Sequence, residues 1–400
     1  MIRLLMLLGL FVVAAPTSAE DFYHTTGIPL EMPRKKPSVV GNPALDQVEY
    51  GIWIPQEARP VRGLMFNPFG PAERSGPPEK HWHEACRLWR FALVTANYDG
   101  VNRKEFAATF SAALQEFARQ SGRTELKHAP FVVAGMSRGG GYSRAFALEF
   151  PERALAVAPV CLEAPPDEPP LRSIPFLTVF GEKDGGQMQK IMTAHPLRRG
   201  EGALWGVAVQ WGRGHEFAKA NNVVIPFFDA VIRRRLPPES AESSKLFKYP
   251  AEEVWFGDAN SWNEKRRIGR IQRASDFRGD PATQAWLPDE RTARAWQAFV
   301  SADKEVKILE PPGLGDGQQF LAHEPHTPAK VRVAAKSTTA AKVALYDGER
   351  LIAEEDGPEA EFAPSFEPGI HPLYAVVRTA DGAERFSFPH TLIVREQGKP

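Results

Sequence analysis

The sequence predicts an α/β domain followed by a small all-β domain, and three observations predict it. From about Val48 to Leu236, apolar strand-like runs alternate with segments of helical period, the pattern of a parallel sheet with crossover helices. Inside that region Phe131-Val132-Val133-Ala134-Gly135-Met136-Ser137-Arg138-Gly139-Gly140-Gly141 reads as a buried strand entering a tight glycine-flanked turn, then a helix from about Gly140 to Phe150. Beyond Val306 the pattern changes to short strands separated by turn signals such as Asp347-Gly348 and Asp381-Gly382.

Residues 1–19 carry Arg3, an apolar run from Leu4 to Ala15, and small residues up to Ala19. This is the pattern of a secretory signal peptide cleaved after Ala19, and the run is too short for a stable bilayer anchor. The expected product is secreted or periplasmic, with no integral membrane segment. Cleavage removes Arg3 and no acid, so 48 basic residues face 49 acidic ones. A near-neutral chain gives no electrostatic case for nucleic acid. Cys86 and Cys161 are the two cysteines; they lack metal-ligand spacing and read as buried free thiols. The roughly 380 residues after Ala19 exceed what one core usually holds.

In chain order, 20–47 reads as a leader without a period, lying on the surface or poorly ordered. Gln47 to Ile54 alternates as a strand, Val61 to Phe66 is the next, and Asn67-Pro68-Phe69-Gly70 follows it. Lys80 to Arg90 is a helix candidate, with His81 and His83 as exposed or loop histidines lacking a third metal ligand. Phe91 to Ala96 is a buried strand. Arg103 to Gln120 places Phe106, Phe110, Leu114 and Phe117 on one helical stripe, which is core packing. Strands then follow at Ala154 to Cys161, Pro175 to Phe180 and Val207 to Gln210.

The chemistry lies in the turn at 135–139. A serine hydroxyl is a weak nucleophile until it is held clear of the backbone, within reach of a base and beside oxyanion donors. Gly135 and Gly139 lack Cβ atoms, so a strained turn can form and a helix can pack against the strand. Gly-x-Ser-x-Gly alone is a weak signal; a strand before it and a helix after it strengthen it. Downstream stand Asp184, just past one strand, and His215, in Trp211-Gly212-Arg213-Gly214-His215 after the last.

On Gly-Met-Ser-Arg-Gly at 135–139, Gly-Glu-Lys-Asp at 181–184 and Gly-Arg-Gly-His at 212–215, the stretch from Val48 to Leu236 resembles the α/β-hydrolase superfamily. It is closest to the secreted dienelactone-hydrolase-like, polyhydroxyalkanoate-depolymerase-like and carbohydrate-esterase-like branches. The resemblance implies a mostly parallel eight-stranded sheet with helices on both faces. It implies acyl transfer to Ser137, with His215 as base then acid and Asp184 fixing its tautomer, and no metal or organic cofactor. Glu163 and Asp167, past the preceding strand, are reserve acids. The oxyanion hole implied is the N–H of Phe69 with that of Arg138. Most of the superfamily has His-Gly where this chain has Asn67-Pro68, and Pro68 cannot donate.

The expected activity is serine carboxylic-ester hydrolysis on a small-molecule or polymer ester, a carbohydrate ester among the candidates. The alternatives are a serine peptidase of prolyl-oligopeptidase type, which usually carries a β-propeller that this short leader cannot supply, and a non-catalytic binding protein that keeps the fold. The domain reading is 48–236 catalytic, 237–302 a tryptophan-rich extension packed on it, and 303–400 an all-β sandwich of immunoglobulin-like type. Trp262 is expected in core or seam packing. Arg138 is also considered as a side chain facing the pocket and favouring acidic esters.

Overall fold

The computed structural model describes residues 20–35, 44–72, 76, 80–162, 167–238, 245–261, 268–310, 322–323, 325–336 and 340–395. The export segment 1–19, Glu163 and Trp262 lie outside the described residues. No helix among the described residues is long and apolar enough to cross a membrane.

The principal sheet contains β1 (Phe22–Pro29), β2 (Gln47–Ile54), β3 (Gly63–Asn67), β4 (Phe91–Ala96), β5 (Phe131–Met136), β6 (Ala154–Val160), β7 (Phe176–Gly181) and β8 (Trp205–Gln210), in the order β1-β2-β4-β3-β5-β6-β7-β8. The first two pairings are antiparallel and the remainder parallel. The central strands are apolar and buried along almost their whole length, as a sheet covered on both faces requires. Between the strands run α1 (Lys80–Trp89), α2 (Phe106–Ser121), α3 (Arg138–Glu149), α4 (Pro169–Arg172) and α5 (Gly185–Gly200), and α6 (Asn221–Arg235) follows β8.

Alternate strand residues meet different helices. Phe66 and Phe131 meet Phe110 of α2, and Phe66 also meets Phe146 of α3. On the opposite face Phe91 meets Trp89 of α1, whose Trp82 reaches Phe228 of α6. The predicted stripe of Phe106, Phe110, Leu114 and Phe117 is wholly buried.

Two readings of this region need correction. The 20–47 leader contains β1, which pairs with β2 in unbroken register from Phe22↔Ile54 to Pro29↔Gln47. Its half-exposed alternation of Phe, His, Thr and Ile gives no apolar run, so an edge strand reads as loop. The leader is further tied down by Arg34, buried and donating to Gln47 O, Asn97 O and Asp99 O. His81 and His83 are not loop histidines. They belong to α1, where His83 is buried with its ring 4.3 Å from Trp53, and burial pushes His81 down to about 4.

Residues after α6 form a small sheet, order β10-β9-β11, from β9 (Trp255–Asp258), β10 (Ile271–Arg273) and β11 (Gln284–Leu287), followed by α7 (Glu290–Ser301). Trp296 of α7 is fully buried and its indole N–H donates to Val207 O of β8 at 2.6 Å. Trp286 packs against Phe227 of α6 and Tyr249. These tryptophans belong to the same apolar cluster as the main sheet, so the segment extends that core.

The remaining strands are β12 (Val306–Glu310), β13 (Ala322–His323), β14 (Val331–Ala335), β15 (Ala340–Asp347), β16 (Arg350–Asp356), β17 (Glu359–Phe362), β18 (Gly369–Thr379), β19 (Glu384–Phe386) and β20 (His390–Val394). They make two sheets, β12-β14-β17 and β13-β20-β18-β15-β16 with β19 paired to β18. Val331, Val333 and Phe362 of one sheet share a core with Val343, Leu345, Val377 and Leu392 of the other. The run after the Asp381-Gly382 turn carries two short strands, β19 and β20, and the sequence pattern does not announce β13 or β17. Residues Glu359 to Phe362 alternate charge with apolar side chains over only four positions, too few to separate from a turn.

Among the described residues, polar contacts tie this sandwich to α7, α6 and α1. Arg291 of α7 pairs with the buried Asp347 carboxylate and donates to Ile370 O. Thr391 N donates to Asn222 Oδ1 of α6 at 2.9 Å, and Arg395 pairs with Glu84 of α1.

Because Trp296 joins α7 to β8 by both burial and a hydrogen bond, Trp296→Ala is expected to lower unfolding free energy by about 3–5 kcal/mol. Denaturant titration checks this as a lower midpoint at unchanged slope.

Candidate active site

Ser137 stands directly after β5 at φ 53°, ψ −124°, a conformation that costs a side-chain-bearing residue about 1–3 kcal/mol. Backbone bonds hold it there. Ser137 N donates to Val160 O at 2.7 Å and Gly140 N to Ser137 O at 2.8 Å. The turn is also a close approach of backbone to backbone, since a Cβ on Gly135 would lie 2.4 Å from Gly139 O. The helix begins at Arg138, earlier than Gly140 as read from the sequence. Among the described residues Ser137 Oγ makes no hydrogen bond.

The two other candidate residues, Asp184 and His215, follow β7 and β8 along the same edge. Asp184 occupies the cap position of α5 but makes no side-chain capping bond. Its carboxylate instead accepts from His215 Nδ1, at 3.0 Å to one oxygen and 3.1 Å to the other. An ionised carboxylate only accepts, so this bond keeps the ring proton on Nδ1 and leaves Nε2 able to accept one. The Asp184 side chain is 8% exposed and that of His215 43%, so the carboxylate is sheltered while the imidazole faces solvent.

The loop carrying His215 lies flat on the end of β7. A Cβ on Gly181 would sit 2.2 Å from Gly214 O, Lys183 N donates to Arg213 O, and Gly212 N donates to Glu182 Oε2. No direct hydrogen bond joins Ser137 to His215 among the described residues; such bonds often tighten only when substrate is present.

The two predicted oxyanion residues flank Ser137. Phe69 is close to the elbow, its Cβ 2.9 Å from where a Cβ on Gly139 would lie. Its N–H, however, donates to Asn67 Oδ1 at 3.1 Å, so an oxyanion would have to share or displace that acceptor. This small turn is the local consequence of Asn two residues before. Arg138 starts α3, and its guanidinium reaches the buried Asp99 carboxylate at 2.5 Å. Of the reserve acids, Asp167 pairs with Arg144 and Arg198, away from His215's partner.

Sequence reasoning missed Cys161 as a neighbour of this site. It follows β6 as Ser137 follows β5, at φ 56°, and its thiol lies 3.3 Å from Glu216 O. One donor atom from each of Cys161, Asp184 and His215 falls within 4.8 Å of the others. Burial, with Asp184 nearby, pushes the thiol up to about 11, so it remains S–H at neutral pH. Both cysteines are free and buried, as expected.

Next to the same loops lies a cleft of about 950 Å³. Its walls include Lys183, Arg213, Lys304 and Lys307 with Trp211 and Phe388, which joins the principal sheet's edge to β12.

A scan of family models matches none, and no curated protein matches the chain. Solved structures do match in part. An arylesterase aligns at 15% identity over 51% of this chain and 81% of its own, with a TM-score of 0.32. An S-formylglutathione hydrolase from Agrobacterium tumefaciens aligns at 12% identity over 51% and 92%, TM-score 0.32. Fibronectin(III)-like modules of Clostridium thermocellum CbhA align at 24% identity over 24% and 99%, TM-score 0.20.

Gly135 leaves no room for a methyl group against a backbone carbonyl. Gly135→Ala is expected to displace the elbow and lower stability by about 2 kcal/mol or more; a thermal or denaturant transition equal to the parent's would contradict the packing described.

Proposed function

We propose that the chain is an exported serine hydrolase that cleaves a carboxylic ester through an acyl-enzyme on Ser137. The observation that carries this reading is the Asp184–His215 pair at the strand edge where β5 ends in the strained Ser137. In the proposed cycle Ser137 Oγ attacks the ester carbonyl while His215 Nε2 takes its proton. The alkoxide leaves as alcohol with that proton, and water repeats the sequence on the acyl-enzyme. Asp184 holds the ring and stabilises the imidazolium. The N–H of Arg138 and that of Phe69, once released from Asn67, would face the oxyanion.

The cleft beside the His215 loop, where Lys183, Arg213, Lys219, Lys304 and Lys307 outnumber Glu182 and Asp303, supports a preference for esters that carry a further negative charge. We read 1–19 as a cleaved export signal and 303–400 as an immunoglobulin-like module that braces or extends the catalytic part.

The test is hydrolysis of short-chain p-nitrophenyl esters. Ser137→Ala is expected to abolish turnover, and Asp184→Asn to lower kcat by on the order of 10³–10⁴-fold with the fold intact. A Ser137→Ala protein as active as the parent would remove the proposal.

A further inference from the structure

We propose that Cys161, Asp184 and His215 form a binding site for one thiophilic divalent cation of the Zn²⁺ class, and that filling it switches the hydrolase off. The second half rests on the function proposed above; the first does not.

Three different donor types converge here, a sulfur, a carboxylate oxygen and an imidazole nitrogen, with one atom from each inside 4.8 Å of the others. A tetrahedral Zn²⁺ with bonds of about 2.0–2.3 Å holds its ligands roughly 3.3–3.8 Å apart. Closing the cluster therefore takes a shift of about 1 Å, within side-chain reach. Each ligand sits just beyond a neighbouring strand, β6, β7 or β8, so rigid elements deliver them. Cys161 is turned to this point by a left-handed backbone, φ 56°, that a side-chain-bearing residue adopts only under constraint. Cys161 is buried and the Asp184 side chain sheltered, while the exposed His215 leaves room for entry and for a water as fourth ligand. Sulfur and imidazole select Zn²⁺ or Cd²⁺ over Mg²⁺ and Ca²⁺, which prefer oxygen cages.

The proton balance explains the inhibition. Without metal, Cys161 carries S–H and His215 carries its proton on Nδ1, the nitrogen turned to Asp184. On binding, sulfur loses its proton to solvent and bonds the cation. Nδ1 also bonds the cation, and its proton is replaced by one on Nε2. One proton is released in total, and Nε2 can no longer accept the Ser137 proton.

The experiment uses untagged protein and Zn²⁺, with Co²⁺ as the spectroscopic probe. Calorimetry should give one Zn²⁺ per chain in the parent and equally in Ser137→Ala, which tests the site without any reference to activity. Cys161→Ser should keep its metal-free turnover, lose Zn²⁺ affinity by tenfold or more, and lose the sulfur-to-cobalt charge-transfer band that the parent shows. In the parent, Zn²⁺ should also slow alkylation of the Cys161 peptide but not of the Cys86 peptide, a readout independent of how the variant folds. Equal Zn²⁺ affinity in Cys161→Ser, a Co²⁺ complex without a thiolate band, or unprotected Cys161 would each overturn the site. Binding with these signatures but without inhibition would overturn the switch alone, and binding in a protein with no ester turnover would leave the site standing while the hydrolase reading falls.

Discussion

The arrangement depends on the carboxyl edge of a parallel sheet, where each loop is suspended from its neighbour by a backbone hydrogen bond. Ser137 N donates to Val160 O, Cys161 N to Val179 O, and Glu182 N to Gln210 O. Each bond contributes only about 0.5–1.5 kcal/mol, yet together they set three loops in a fixed sequence. They also offset the left-handed backbone at Ser137 and Cys161. Ser137, Cys161, Asp184 and His215 thereby emerge in strand order along one rim. Strand register, rather than any side-chain contact, fixes their spacing.

Packing on both sheet faces keeps that rim rigid. Phe66, Phe110 and Phe146 cover one face through α2 and α3, while α1 and α6 close the other through Trp82 and Phe228. The sheet's far edge at β8 would be open, and β11 and α7 cover it, with Trp296 bonded to Val207 O and Trp211 bonded to Val300 O. Since Trp211 begins the loop that ends in His215, the extension anchors that loop as well as the core. The sandwich then bears on α6, α7 and α1 through Asn222, Arg291 and Glu84.

Much of this was legible because it rests on local signals. Apolar runs such as Phe91 to Ala96 and Phe131 to Met136 can be little else than buried strands, and Gly135 with Gly139 announces a turn that tolerates no Cβ. Asp184 and His215 could be picked out by chain order, and the bond between them is where that order leads. What the sequence hid depends on partners distant in the chain. β1 is a strand only because β2 lies beside it, and His83 is buried only because Trp53 offers a ring. The absence of an N–H on Pro68 points to Phe69 as a donor, but the Asn67 side chain that takes the Phe69 N–H is a conformational fact that composition does not reveal. Cys161 reads as an ordinary small apolar residue until β6 is placed between β5 and β7.

The central claim is that Ser137 is an activated nucleophile, and the most direct measurement is reaction of the folded protein with a fluorophosphonate, followed by peptide mass mapping. The account predicts one adduct per chain, on Ser137, that Ser137→Ala abolishes and His215→Gln slows severely. A folded protein that stays unlabelled, or one labelled at another residue, would contradict it.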